Sequence, residues 1–272
     1  MKATALGVAL SVLSTTSGFC QTSPQLKTER LNLKNVQEPG DFRAIVEHYI
    51  GDRRIRLMLT GYSAAPDDYE EKTTAFVSSL VRQLGGANTA IITSPTADKG
   101  SIDAIGTLVS QSSGAKVMYI TSQDYVKYID PSKFPEQLDK AAYIEHEKYV
   151  LPDNAKYSAA STIASNAILV TGGRDTAVED TVNSILHDNR VIIAENLTNT
   201  PPWDSTKNRV NNAAAYMREQ LASLQQTGRL KYPVSGRLTK EFLTTHKDKF
   251  LFVSNPEQAA RALSTQVFTP RP

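Results

Sequence analysis
Short apolar runs recur along the chain, each followed by a longer stretch in which apolar residues return every three or four positions. The runs lie at residues 55–60, 90–93, 116–120, 167–170, 191–193 and 250–253. None alternates strictly between apolar and polar positions, as a strand with one wet face would; strands buried on both faces read this way. The stretches between them carry helical periodicity. Phe76, Val77, Leu80, Val81 and Leu84 fall on one face of a helix predicted over 68–84, and Ile102, Ile105, Leu108 and Val109 mark a second. A last helix is predicted around 256–263, after the run at 250–253.

Strand–helix alternation of this kind predicts an α/β fold: a Rossmann-like doubly wound parallel sheet in a single domain, spanning residues 51–272. Ligands of such sheets bind beyond the carboxyl ends of the strands. Before the sheet, residues 21–50 read as a polar linker with Pro24 and Pro39, ending in a short helix over 41–50. Residues 1–20 read as a signal peptide. Lys2 precedes an apolar stretch of about eleven residues and the small polar run Ser14 to Gly18, too short to span a membrane. Export to a periplasmic or secreted location is therefore expected. No later segment is apolar enough to span a membrane. Cys20 would head the mature chain of a lipoprotein, but Phe19 stands where a lipid-attachment box wants a small residue.

Composition narrows the partners. Lys and Arg number 30 against 28 Asp and Glu, a formal net charge of +2. So balanced a chain lacks the clustered basic face that nucleic acid requires, and no nucleic-acid partner is expected. Apolar residues at 40% suit a packed core and exclude a disordered or fibrous chain. Cys20 is the single cysteine, which excludes an intramolecular disulfide and multi-cysteine clusters. His48, His146, His187 and His246 are dispersed without metal-ligand spacing, and neither a metal nor another cofactor is expected.

The chemistry concentrates after the run at 167–170, where the chain reads Thr171-Gly172-Gly173-Arg174-Asp175-Thr176-Ala177-Val178-Glu179. Paired glycines at a strand end permit positive φ and close backbone approach. The following helix N-terminus offers unpaired N–H groups and a positive dipole end, a ready anion site. Thr176 adds a hydroxyl, and Glu179 lies one turn into the helix. The same residues, Thr176 through Glu179, also spell a capping box, in which Glu179 would bond back to the backbone at the helix start; Asp175 is an alternative cap.

This stretch resembles the lonely-guy family of nucleotide phosphoribohydrolases, also labelled lysine-decarboxylase-like. The family signature is Pro-Gly-Gly-x-Gly-Thr-x-x-Glu after a strand, with an essential arginine upstream. Gly172, Gly173, Thr176 and Glu179 match in register, and Lys156 falls at the arginine's place. Ser165-Asn166-Ala167-Ile168 is similar to the family's Ser-Asp-Ala run. Gly61 and Ser63 match its Gly-Ser-Ser turn after the first strand, and residues 250–257 resemble its closing strand and helix. Gly100 is what remains of a second glycine-rich turn. The resemblance implies a nucleotide or ribosyl ligand, with phosphate held by Gly61, Ser63, Gly100, Gly172, Gly173, Asp175 and Thr176. It makes Glu179 and Lys156 the catalytic pair of an N-glycosidic-bond hydrolase, and it allows a homodimer. Asp175 replaces the signature's third glycine and Thr171 its proline. A carboxylate in an anion cradle repels phosphate unless it turns away. Lysine also lacks the bidentate fork of arginine. The departures favour a non-catalytic or divergent binding protein, with a hydrolase and an interaction protein with a vestigial crevice as alternatives.

Three other constellations complete the reading. Gly61-Tyr62-Ser63-Ala64-Ala65 loosely matches a hydrolase nucleophile elbow, with His246 and Asp188 or Asp204 downstream, but it follows the first core strand rather than a central one. Glu145-His146-Glu147 reads as a solvated surface, within a tyrosine-rich segment over 122–157 that either packs as an insertion or lines a base pocket and dimer face. Pro201-Pro202-Trp203 is a rigid loop whose tryptophan could cap the crevice.

Overall fold
The computed structural model describes residues 29–30, 46, 50–95, 99–122, 141–144 and 158–265. The signal peptide, Cys20, Lys156 and most of the tyrosine-rich segment lie outside the described residues. Val46 and Ile50, within the predicted short helix, are helical and buried.

Among the described residues ten strands run in chain order: β1 (Glu29–Arg30), β2 (Ile55–Thr60), β3 (Thr89–Thr93), β4 (Lys116–Ser122), β5 (Ala141–Ile144), β6 (Ala167–Val170), β7 (Arg190–Ala194), β8 (Trp203–Asp204), β9 (Arg209–Val210) and β10 (Phe250–Val253). The helices are α1 (Tyr69–Leu84), α2 (Ile102–Ser113), α3 (Ser158–Ala164), α4 (Asp175–Leu186), α5 (Ala213–Thr227), α6 (Lys240–His246) and α7 (Pro256–Ser264). Eight strands form one sheet in the order β1-β5-β4-β3-β2-β6-β7-β10. Every pairing in it is parallel. β8 and β9 make a separate antiparallel ribbon.

This is the predicted Rossmann-like sheet. From β2 the chain winds one way through β3 and β4; from β6 it winds the other way through β7 and β10. Right-handed crossovers in opposite directions put helices on opposite faces. Leu57, Leu59, Leu169 and Ile192 pack with α1, α2 and α7 on one face. Met58, Ile168, Val170, Val191 and Ile193 pack with α4, α5 and α6 on the other. Neighbouring side chains thus enter different cores, both dry, so the strands read as continuous apolar runs. The predicted face of α1 is buried throughout. On α2, Leu108 departs from its apolar neighbours and stands 53% exposed. β5 falls within the tyrosine-rich segment, where periodicity predicts no strand. No described helix is long and apolar enough to cross a membrane.

The strand order reverses between β2 and β6. The turns leaving these two strands, at Gly61 and Gly172, meet on the carboxyl rim, the place where doubly wound sheets bind ligands.

Candidate functional site
Three hydrogen bonds lock the turns at this switch point. Thr171 N donates to Thr60 O at 3.0 Å, Ile102 N to Tyr62 O at 2.9 Å, and Ala213 N to Gly173 O at 2.9 Å. Gly173 has φ +87°, and a Cβ there would stand 2.4 Å from Gly61 O. Only glycine lets the two strand ends approach so closely. Gly61, Ser63, Gly172, Gly173 and Thr176 are therefore gathered around one point. Ser63, Arg174 and Thr176 are exposed there. Gly100 lies on the same rim but farther along it, beside Glu70 and Ala65.

α4 starts at this point without a cap of its own. Arg174 holds the N-cap position in extended backbone, φ −114° and ψ −150°, and its side chain makes no capping hydrogen bond. Asp175 turns outward: it accepts from Ser235 Oγ at 2.6 Å and from Val210 N at 3.5 Å. Its carboxylate is thus engaged by Ser235 and Val210 beside the glycine turn rather than directed into it.

Glu179 does not fold back on the start of its own helix. Its Oε1 accepts from the backbone N of Arg237 at 3.1 Å, and its Oε2 pairs with Arg237 Nε at 3.4 Å. The same guanidinium donates to Asn183 Oδ1. A Cβ on Gly236 would overlap the Glu179 carboxylate at 1.4 Å. Asp175, Glu179 and Asn183 are spaced by four, so they form one stripe on α4, and the connector between α5 and α6 is clamped along it. The polar stripe is visible in the sequence; its partners Ser235 and Arg237 are not.

Beneath the turns lies a group that periodicity passes over. Asp180 is buried on α4, where its Oδ2 accepts from Thr60 Oγ1 at 2.7 Å while Oδ1 has no partner. Burial pushes its carboxyl up to about 7 against the pull of the Thr60 hydrogen bond, and Asp103 and Glu179 add like charge. Above it, burial raises the phenol of Tyr62 to about 12 and that of Tyr69 higher still. On the outer wall, Asp68 accepts from Thr198 Oγ1 at 2.8 Å and from Asn199 N at 2.9 Å. These hydrogen bonds hold its carboxyl below the usual range.

Trp203 does not cap the crevice. Its ring stacks on Tyr216 and Tyr232, at 5.9 Å and 6.0 Å between centroids, and packs toward α5. The elbow reading also fails on geometry. Ser63 is on the carboxyl rim, whereas Asp188 and His246 precede β7 and β10 at the amino rim, and Asp204 caps its own ribbon turn through Thr206. That opposite rim carries a cleft of about 110 Å³ lined by Asp188, Asn189, Arg190, Asp248, Lys249 and their apolar neighbours. None of the residues of the glycine-turn site lines it, and Lys249 pairs across it with Asp188 at 2.9 Å.

No protein-family model matches the chain, and no curated protein matches it in sequence. In structure it is similar to the molybdenum cofactor carrier protein of Chlamydomonas reinhardtii, with a TM-score of 0.46 and 10% identity. The match covers 78% of this chain and 97% of that one.

Proposed function
We propose that this protein binds a small phosphate-bearing ligand, a nucleotide or a ribosyl phosphate, at the switch-point rim and does not cleave it. The phosphate would sit over the Gly172-Gly173 turn and the uncapped start of α4, with Thr176 and Ser63 supplying hydroxyls and Arg174 the cation. Arg174 is an addition to the residues that the family signature suggests. The observation that carries the reading is the state of the two acids. Asp175 is held by Ser235 and Glu179 by Arg237, so neither of these two acids is left free to repel phosphate or to serve as a base at the glycine turn. A hydrolase of the lonely-guy type would need Glu179 released toward the crevice, with Lys156 beside it.

Isothermal titration with ribose 5-phosphate and adenosine 5′-monophosphate tests the proposal, with free adenine followed by chromatography. Binding without adenine release is expected, and Arg174→Ala should weaken it about tenfold. Adenine release abolished by Glu179→Gln would establish the hydrolase instead. A second reading, an interaction protein with a vestigial crevice, is favoured by the burial of Tyr62 at the switch point, and absence of binding by either compound would support it. We also propose export, resting on residues 1–20. Amino-terminal sequencing from the native host should find a start near Gln21, and a Met1 start would refute it.

A further inference from the structure
The turn after β2 reads Gly61-Tyr62-Ser63, so a large ring stands where the resembling motif has a small serine. That ring lies over Gly172: a Cβ built on this glycine would come 2.5 Å from Tyr62 Cε2. Tyr62 is 3% exposed. Its edge meets Tyr69 with 4.9 Å between ring centroids. Its hydroxyl donates to Asn211 O at 2.7 Å. The Tyr69 hydroxyl in turn fills the space beside Gly61, 2.2 Å from where a Cβ would be, and bonds Thr171 Oγ1 at 2.5 Å.

The missing side chains of Gly61 and Gly172 thus make room for two tyrosines of the chain itself. The Tyr62 ring is packed on several sides and its one polar atom is satisfied, so moving it out breaks a buried hydrogen bond and opens a void. Outside it, Ser63, Arg174 and Thr176 remain exposed. Resting on the binding reading above, we propose that Tyr62 is a specificity-determining plug. It occupies the place that a ligand's ring would take at the switch point. The protein therefore grips phosphate monoesters by the phosphate end and does not read the group beyond the sugar.

Isothermal titration of the unaltered protein with ribose 5-phosphate and adenosine 5′-monophosphate decides the first half. Affinities within about threefold of each other are expected, and a tenfold or greater preference for the nucleotide overturns the proposal. Tyr62→Ser should gain at least tenfold for the nucleotide and take up free adenine, because an emptied apolar cavity binds a ring of matching size. Tyr62→Phe keeps the ring and should keep the original pattern. A folded Tyr62→Ser with no gain for nucleotide or adenine refutes the plug. If Tyr62→Ser does not fold, the comparison in the unaltered protein stands by itself. Uptake of adenine by Tyr62→Ser while no phosphate compound binds any variant would overturn the phosphate reading and still support the plug.

Discussion

α2 and α4 both leave the carboxyl rim, on either side of β2, yet their first turns are finished differently. α2 opens with Ser101, whose hydroxyl accepts from Ala104 N at 3.2 Å. Its Asp103 folds back on the end of β3, taking Thr93 Oγ1 at 2.5 Å and Ser94 N at 2.8 Å on one oxygen. That helix start is closed by its own residues. α4 opens with Arg174, which caps nothing, and its acids reach away to the connector. Every helix start leaves donors that something must satisfy. Where the chain supplies a serine the end is complete; where it supplies an exposed arginine, the end and the cation together suit an anion. Half-buried Asp103 and buried Asp180 differ in the same way. Asp103 Oδ1 receives two donors, while Asp180 receives Thr60 alone and keeps an unpartnered Oδ1.

The largest effect that can test this contrast comes from Asp180. Folding raises its carboxyl from the ordinary aspartate range to about 7. The native state thus holds a proton that the unfolded chain releases near pH 4. Stability from this group is full below that point and is lost as pH rises through about 7. Three units correspond to about 4 kcal/mol. Asp180→Asn removes the titration, so the stability difference between variant and unaltered protein should shift by that amount from pH 4 to pH 8 in urea unfolding. A constant difference across the window would mean that Asp180 is ionised throughout.

Gly173→Ala attacks the junction between the two strand ends. The new methyl would meet Gly61 O at 2.4 Å in a backbone held at φ +87°. Strain and displacement together should cost about 3 kcal/mol, read as a lowered urea midpoint. A loss under 1 kcal/mol would show that the β2 and β6 turns are looser than the hydrogen bonds between them imply. Glu179→Gln should cost only about 1 kcal/mol, because the pair with Arg237 is partly exposed and the amide oxygen still accepts from the Arg237 backbone. A larger loss would make the connector a main support of α4.

The contrast also marks how far the sequence can be read. β2, β3, β4, β6 and β7 were legible because each is buried over at least four consecutive residues, and β10 because it is apolar throughout although half-buried at its centre. β8 and β9, two residues each, carry no period at all. β5 is four residues in a polar, tyrosine-rich setting. At the site, the glycine turn and the carboxylates one turn apart could be named from local pattern. Their direction could not. Asp175 is drawn outward by Ser235, 60 positions away, and Glu179 by Arg237, 58 positions away. Likewise nothing local to Tyr62 announces that its ring will seat on Gly172, since that contact exists only after β6 has paired with β2.

The smallest effects bear most directly on the two helix starts. Ser101→Ala removes the cap of α2 and should cost about 1 kcal/mol, without altering any ligand response. Arg174→Ser makes the opposite change. Its backbone is already extended, as a capping residue requires, so the serine hydroxyl can reach the first-turn N–H groups that Arg174 leaves alone. Stability should rise by about 0.5 kcal/mol in the absence of ligand. Phosphate compounds should bind about tenfold more weakly, since the substitution both removes the cation and occupies the donors. The two readouts therefore move in opposite senses, which a general loosening of the rim would not produce. Thermal unfolding with and without ribose 5-phosphate measures both in one series. A gain in stability with unchanged binding would place the phosphate away from the start of α4, and a loss of both would show that Arg174 supports the fold rather than the ligand.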